Sequence, residues 1–252
     1  MYYLCINKMK LLCLLCLSVV LLIISVISLI SLKSNAESFK EYEWNFLDKA
    51  VYINLEDRKD RRKEIENELN KIPKTKIIRF NAIKNKIGHI GCSQSHIKVL
   101  QMAINEGWKN VLIIEDDAMF NNYNNGYKIL INLIKNNPKF DVITFGNTQA
   151  KFDSQTMKLY EGQTTTAYIV NRHYYKTLLE NFKNGLTELL KIQHLTPSER
   201  LPYENKYCID QYWKLLQKKD NWYIVNPALM IQRPSKSSIT NQEVDYTSYF
   251  NL

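Results

Sequence analysis

Residues 111–117, Val-Leu-Ile-Ile-Glu-Asp-Asp, could carry chemistry because four aliphatic residues lead directly into three carboxylates. A continuous apolar run of this length is typical of a strand that is buried on both faces, as in a parallel sheet. The carboxylates then lie at the carboxyl edge of the sheet, where ligands bind in open α/β folds. Three adjacent negative charges repel one another, so a bound cation such as Mg²⁺ or Mn²⁺ would explain the cluster. The alternative is a solvated acidic turn. Because side chains alternate along a strand, we expect Glu115 and Asp117 to point one way and Asp116 the other.

Arginines cluster at the turn between the first predicted strand, 50–55, and the helix that follows it. Arg58, Arg61 and Arg62 fall near the start of this helix, where the backbone already favours anions. Guanidinium groups bind phosphate oxygens in pairs, so the group suits a diphosphate. The alternative is a solvated helix face on which these arginines pair with acids one turn away.

The segment Gly91-Cys92-Ser93-Gln94-Ser95-His96 is polar and compact and opens a predicted helix. We predict a loop at 88–91 and a helix cap from Ser93 or Ser95. His96 could hydrogen-bond a nucleotide or a metal-bound group, although a single histidine is also common as a structural residue.

Near the C-terminus, Tyr207-Cys208-Ile209-Asp210-Gln211-Tyr212-Trp213 places one carboxylate among aromatic residues. A partly desolvated aspartate can act as a general base, and aromatic faces stack on sugars. We therefore predict Asp210 as a base, with Tyr212 and Trp213 beside a sugar. The alternative role for Asp210 is a helix N-cap. Gln232 ends a later strand and is expected near the sheet edge.

Composition and motifs exclude several classes of protein. The formal charge is +9, but the basic residues are mixed with acids and form no arginine-rich tract, so we do not expect nucleic-acid binding. The sequence has no P-loop, no Gly-x-Ser-x-Gly elbow and no Cys/His set with zinc-ligand spacing. A diffuse positive charge suits a phosphate-bearing substrate or an anionic membrane.

The N-terminal region predicts a membrane anchor. Residues 11–32 carry no charge and would span roughly 33 Å as a helix. A cleaved signal peptide ending near Ala36 is the alternative. We expect a tail at 1–10, an anchor at 11–32, a stem at 33–47, a catalytic domain at 48–238 and a polar tail at 239–252. The short leader favours a type II protein with the catalytic domain in the ER or Golgi lumen, or across the membrane in another kind of cell.

Strands and helices alternate along the catalytic domain, which favours an α/β fold with a mostly parallel central sheet. Two further predictions concern the second half of the domain. Segments 157–161 and 164–170 are expected to form a strand pair joined near Gly162, and 192–206 to form a loop over the substrate.

Five motifs in order resemble glycosyltransferase family 25, which includes lipopolysaccharide-type sugar transferases and procollagen galactosyltransferases. They are Ile-Asn-Leu-Glu-Asp-Arg-Lys-Asp-Arg-Arg from Ile53, Arg-Phe-Asn-Ala-Ile from Arg79, Gly-Cys-Ser-Gln-Ser-His from Gly91, Ile-Glu-Asp-Asp-Ala from Ile114 and Thr-Ala-Tyr-Ile-Val from Thr166. The resemblance covers about residues 50–238. One departure is Ser237-Ser238-Ile239, where the family often has Ser-Asp-Ile.

The resemblance implies a GT-A type, Rossmann-like fold, a nucleotide-sugar donor that is usually UDP-linked, and Mn²⁺ or Mg²⁺ at the acidic motif. The metal ligands would be Glu115, Asp116 and Asp117, and the catalytic residues Asp117 and Asp210. The donor would be bound by Asn54, Arg58, Arg61, Ser95, His96 and Asp116.

The expected activity is metal-dependent, inverting transfer of galactose or glucose to a hydroxyl of a glycan, a lipid-linked sugar or a protein. Two alternatives are a nucleotidyltransferase on a related sheet and an inactive fold that binds glycans.

Overall fold

The computed structural model describes residues 19–34, 43–237 and 242–250. The chain divides into two compact units, Met1–Asn45 and Phe46–Leu252. In the first unit, residues 19–34 are helical. The predicted tail at 1–10, residues 11–18 of the predicted anchor, and parts of the predicted stem and C-terminal tail lie outside the described residues. Among those described, no helix combines the length and the apolar character that a membrane crossing requires.

The second unit is built on a six-stranded sheet with the strand order β2-β1-β3-β8-β5-β9. Strand β8 runs antiparallel to both of its neighbours, and the other five strands share one direction. The sheet is therefore mostly parallel, as predicted. Its strands are β1 (Lys49–Asn54), β2 (Ile77–Asn81), β3 (Asn110–Glu115), β5 (Val142–Thr144), β8 (Ala167–Asn171) and β9 (Trp222–Ile224).

Helices and three small strand pairs surround this sheet. The helices are α1 (Lys59–Glu68), α2 (Gly88–Asn105), α3 (Tyr123–Asn136), α4 (Tyr175–Lys191), α5 (Pro197–Tyr207), α6 (Ile209–Tyr212) and α7 (Lys214–Gln217). The 3₁₀ turns are Leu69–Lys71, Lys74–Lys76, Arg172–Tyr174 and Thr247–Tyr249. The strand pairs join β4 (Ala118–Phe120) to β10 (Met230–Gln232), β6 (Thr148–Phe152) to β7 (Leu159–Gln163), and β11 (Ser235–Lys236) to β12 (Glu243–Val244).

Strand β3 forms the centre of the core. Its residues Val111, Leu112, Ile113 and Ile114 are completely buried, which requires cover on both faces of the sheet. One face packs on apolar residues of α2 and α4, including Leu100 and Phe182. Each of the four aliphatic side chains contributes about 1.5–3 kcal/mol relative to an exposed position. This burial fixes where β3 ends, and thus where its carboxylates begin.

The predicted strand pair near Gly162 is wrong. Strand β7 pairs with β6, and β8 instead enters the main sheet between β3 and β5. The residues Ala167–Val170 are all buried, so this segment needs cover on two faces that a surface hairpin cannot supply. The entry of β8 brings the residues just before it, 164–166, beside the end of β3.

Two predicted loops are helical. Residues 197–207 form α5, whose start is fixed by a capping box in which Thr196 and Glu199 bond each other's backbone N–H groups. Pro197 occupies the first position of this helix, where its missing N–H costs no hydrogen bond, whereas Pro202 lies inside the helix and leaves one backbone bond unmade. Helix α2 already begins at Gly88, so Ser93 and Ser95 lie inside the helix and are not caps.

Candidate functional site

The carboxyl ends of β1 and β3 bring the arginine cluster and the three carboxylates of residues 115–117 together. The strands are parallel neighbours with Ile53 opposite Glu115, so the residues that follow them meet at one edge. Helix α1 starts just after β1 and carries Arg61 to this edge. Arg61 Nη1 donates to Asp116 Oδ1 and Asp117 Oδ2, both at 2.9 Å, and Asn54 Nδ2 donates to Asp116 Oδ2 at 2.8 Å.

The expected alternation of the three carboxylates is met only in part, because Asp117 shares a cavity wall with Glu115 but a guanidinium with Asp116. Strand β3 ends at Glu115 and residues 116–117 form a turn, so strand periodicity no longer applies to them. Asp116 and Asp117 therefore share the guanidinium of Arg61, whereas Glu115 faces another set of groups. Glu115 Oε1 accepts a hydrogen bond from Thr165 Oγ1 at 2.6 Å and lies 3.5 Å from His96 Nε2.

The C-terminal part of the chain closes over this edge. Arg61 Nη2 donates to Ser235 Oγ at 2.7 Å and to the Lys236 carbonyl at 2.9 Å, and Arg58 Nη1 reaches the same carbonyl at 3.0 Å. Pairing of β10 with β4 places Gln232 next to Asp117, whose Oδ2 accepts from Gln232 Nε2 at 3.2 Å. Both arginines thus hold segments that are remote in sequence.

A cleft of about 570 Å³ opens in front of the acidic turn. Both cationic side chains and the three carboxylates of the acidic turn line it. The charged residues of its wall are Asp57, Arg58, Asp60, Arg61, Lys84, Glu115, Asp116, Asp117 and Lys236. This size lies within the range of small-molecule sites, roughly 300–1,000 Å³.

A smaller cavity of about 220 Å³ adjoins the cleft and shares part of its wall. The shared residues are Cys92, Glu115, Asp117, Gln232 and Ser237. Asp210 lines the smaller cavity, and its Oδ2 accepts the backbone N–H of Thr164 at 3.1 Å. Asp210 stands in the first turn of α6, but the N-cap is Cys208 and no side chain caps this helix, so the predicted alternative of Asp210 as an N-cap is wrong.

Ser95 and His96 are both buried on α2. Ser95 Oγ donates to the Gly91 carbonyl at 2.7 Å and accepts the Ile83 N–H at 2.9 Å, so it fixes the chain that follows β2. Gly91 allows this approach, because an added Cβ would lie 2.5 Å from the Ile83 carbonyl oxygen. The Nδ1 atom of His96 lies 2.7 Å from the Tyr168 hydroxyl.

The carboxylates of the site have pKa values that are shifted in different directions by burial and by neighbouring charges. Burial, followed by the charge of Glu115, raises the pKa of Asp117 to about 7, against the opposing effect of Arg61. Burial also raises the pKa of Asp116 and of Asp210. Burial alone would raise the pKa of Glu115, but His96 and Thr165 hold it below its ordinary value.

One atom of the acidic turn, Asp117 Oδ1, is suited to bind a hard divalent cation. Asp117 Oδ1 is buried and has no hydrogen-bond partner in the described part of the chain. Both oxygens of Asp116 are bonded, one to Arg61 and one to Asn54. A buried carboxylate oxygen without a partner is costly, and a Mg²⁺ or Mn²⁺ ion would satisfy it.

Sequence reasoning missed two residues of the site and misplaced a third. Thr165 and Tyr168 reach the site because β8 lies beside β3, and the sequence interpretation placed them in a separate hairpin. Trp213 is completely buried, and its indole N–H donates to the Gly162 carbonyl at 2.9 Å, so it is a core residue and does not line a sugar site. Trp213 lies between the short helices α6 and α7, and the sequence there gives no signal that separates these roles.

Comparison with known proteins supports the resemblance seen in the motifs. Residues 86–196 match the model of glycosyltransferase family 25, described as an LPS biosynthesis protein. A Drosophila melanogaster "Glycosyltransferase 25 family member" is 38% identical over 71 residues, which is 27% of this chain. The chain thus covers only 11% of the length of that curated relative.

Solved structures with a similar arrangement include two transferases. One is a glycosyltransferase involved in glycosylation of the major capsid of PBCV-1, with 14% identity and a TM-score of 0.45, over 73% of this chain and 92% of that one. The other is mannose-1-phosphate geranyltransferase from Thermus thermophilus, with 10% identity and a TM-score of 0.41, over 70% and 72% of the two chains. Over residues 86–196, this chain is therefore similar to glycosyltransferase family 25, the family that the motifs indicated.

Proposed function

We propose that this protein transfers a hexose, galactose or glucose, from a UDP-sugar to an acceptor hydroxyl, with inversion at the anomeric carbon and with a GT-A type arrangement. The observation that carries the proposal is the pair of cavities that meet at Glu115 and Asp117. A transferase needs two substrate sites that share one reaction point, and this wall provides such a point.

The larger cleft suits the donor. Four cationic side chains line it, Arg58, Arg61, Lys84 and Lys236, and their charge suits a diphosphate. Asp116, Asp117 and the β11 backbone hold the Arg61 guanidinium from several directions, so its charge keeps one position beside a bound diphosphate. Little side-chain freedom is then lost when a phosphate binds.

The smaller cavity suits the acceptor. Asp210 lies in its wall, and burial raises the pKa of this carboxyl. A carboxylate with raised pKa is a stronger base than one in water, which favours removal of a proton from a sugar or side-chain hydroxyl. The Thr164 N–H holds one oxygen of Asp210, so the carboxylate has a fixed direction. Inversion requires such a base on the side away from the leaving nucleotide.

Asp117 would hold Mn²⁺ or Mg²⁺ through Oδ1, with Glu115 or Asp116 as a further ligand. When bound, such an ion neutralises charge on the departing diphosphate. Gln232 donates to the other oxygen of Asp117 and so orients the carboxylate. Arg61 stabilises the ionised form of Asp116 and Asp117 in the absence of the ion.

The membrane anchor remains part of the proposal on sequence grounds. The 22 uncharged residues from Leu11 to Leu32 support it, and a type II orientation would place the catalytic unit across the membrane. Alkaline extraction of membranes from cells that express the full chain tests it. Release of the intact protein into the soluble fraction would contradict an anchor.

The products of donor turnover test the activity. The full chain is incubated with Mn²⁺ and UDP-galactose or UDP-glucose, with and without simple sugar acceptors, and the products are separated. Free UDP together with a glycosylated acceptor is the expected result. A second incubation contains a sugar phosphate and UTP. Release of pyrophosphate there would identify a nucleotidyltransferase instead. If the protein shows no turnover and no metal-dependent nucleotide binding, the result would favour the glycan-binding alternative.

A further inference from the structure

A second group of potential metal ligands lies where the cleft and the smaller cavity meet. Cys92, His96 and Glu115 each offer one ligand atom, and these atoms all lie within 4.8 Å of one another. Glu115 Oε1 is 3.5 Å from His96 Nε2 and 3.9 Å from Cys92 Sγ. We propose that this cluster is a binding site for a soft divalent cation of the Zn²⁺ class, separate from the hard cation at Asp117, whose further ligand is then Asp116 and not Glu115.

The secondary structure brings these three residues together for simple geometric reasons. Cys92 and His96 are four residues apart on α2, so their side chains leave the same face of the helix. Glu115 is the last residue of β3 and faces this side of α2. Zinc bonds of about 2.0–2.3 Å in a tetrahedron place neighbouring ligand atoms roughly 3.3–3.6 Å apart. Small side-chain rotations are therefore enough to enclose a cation.

The Nε2 atom of His96 is the independent sign of a missing ligand. His96 is completely buried, and Nε2 makes no hydrogen bond within the described part of the chain. A buried ring nitrogen that reaches only a carboxylate oxygen at 3.5 Å is poorly satisfied, and that oxygen belongs to Glu115. A cation bound to Nε2 would remove this deficit.

The groups behind the three ligands resemble the support that metal sites commonly have. His96 Nδ1 lies 2.7 Å from Tyr168 Oη, so a proton on Nδ1 can be donated there and Nε2 is left free for a metal. Tyr168 and Phe182 also hold the imidazole plane by ring contacts. Thr165 Oγ1 donates to Glu115 Oε1 and orients the carboxylate.

The donor set determines the class of cation. One thiol, one imidazole and one carboxylate give a mixed sulfur, nitrogen and oxygen set, which selects Zn²⁺ or Co²⁺ over Mg²⁺. Three protein ligands leave a fourth position for water or another small ligand. Because Cys92 and Glu115 line both cavities, this position lies at their junction.

Cobalt titration of the full chain tests the site without reference to transferase activity. Co²⁺ bound by a thiolate gives a charge-transfer absorption band in the near ultraviolet, and Zn²⁺ added afterwards should displace Co²⁺ and remove the band. We expect the band in the parent protein and its loss in Cys92→Ser. The matched control is Cys208→Ser, which removes a second cysteine that lines the smaller cavity and should retain the band.

Two further variants separate this site from its neighbours. Asp117→Ala should retain the cobalt band, because Asp117 belongs to the hard-cation position. Tyr168→Phe should keep the band but weaken Co²⁺ binding by about 10–100-fold, the usual effect of removing a group that orients a metal-bound histidine. Circular dichroism and thermal melting of each variant identify one that fails to fold. A folded parent protein without the band, or a band that survives in Cys92→Ser, would overturn the proposal.

Discussion

Arg61 provides the sharpest test of the site as described, because its neighbour Arg62 is a matched control. The two residues are adjacent on α1 and each pairs with a carboxylate at 2.9 Å. The Arg61 side chain is 6% exposed, whereas that of Arg62 is 45% exposed. Substitution by methionine removes the charge of either arginine and keeps a long apolar stem.

The expected losses of unfolding free energy differ by several kcal/mol. Arg61→Met leaves Asp116 and Asp117 buried without their cation, and breaking a buried pair in this way costs about 3–5 kcal/mol. It also removes the hydrogen bonds to Ser235 and to the Lys236 carbonyl. Arg62→Met breaks an exposed pair with Glu66, which costs about 0–1 kcal/mol.

Urea unfolding followed by circular dichroism measures both losses. If Arg61→Met does not fold, Arg61→Lys keeps one charge without the fork of donors and should give an intermediate loss. Adding Asp116→Asn to Arg61→Met should recover part of the stability, because one unpaired charge is removed. Equal losses for Arg61→Met and Arg62→Met would refute the buried ion pair as the element that joins α1 to the acidic turn.

Three other substitutions test separate parts of the account. Asp210→Asn should reduce transfer by about 10²–10⁴-fold, measured as the rate of acceptor glycosylation. Burial raises the pKa of Asp210, so the folded state holds the proton of this carboxyl more tightly than the unfolded state. The folded state therefore loses stability as pH rises from the unfolded pKa through the folded pKa. Asp210→Asn should therefore gain stability over the parent as pH rises above about 4, the ordinary pKa of an aspartate, and no gain would contradict the burial. Gly91→Ala should cost about 1–3 kcal/mol in urea unfolding, because the new Cβ would meet the Ile83 carbonyl, and full stability would show that the loop moves freely. Thr196→Ala should cost about 1 kcal/mol through loss of the capping box, and an unchanged melting temperature would show that α5 does not depend on it.

The sequence predicts the first half of the sheet well because its signals there are local. β1 and β3 are short apolar runs that end at polar residues, and alternation with helices implies that they are parallel. From these two features it follows that Asn54 and the acidic triplet share one edge, as they do in the structure. The motifs also indicated the family, because their order over about 190 residues is more specific than any single one of them.

The remaining parts depend on contacts that no local pattern contains. Strand β8 lies between β3 and β5. Its position depends on how the other strands pair, which the sequence of β8 itself does not indicate. The approach of Thr165 to Glu115 and of Tyr168 to His96 follows from that placement. The side-chain directions at 116–117 depend on a turn that replaces the last residues of a strand, where a period of two no longer holds.

Release of UDP by the full chain in the presence of Mn²⁺, compared with EDTA and with Asp117→Ala, tests the central claim most directly. The account predicts UDP release from one UDP-hexose, with loss of at least tenfold both in EDTA and in the variant. An unchanged rate in both would contradict a cation held by Asp117 at the junction of the two cavities. If Asp117→Ala is as active as the parent, the acidic turn takes no part in the reaction.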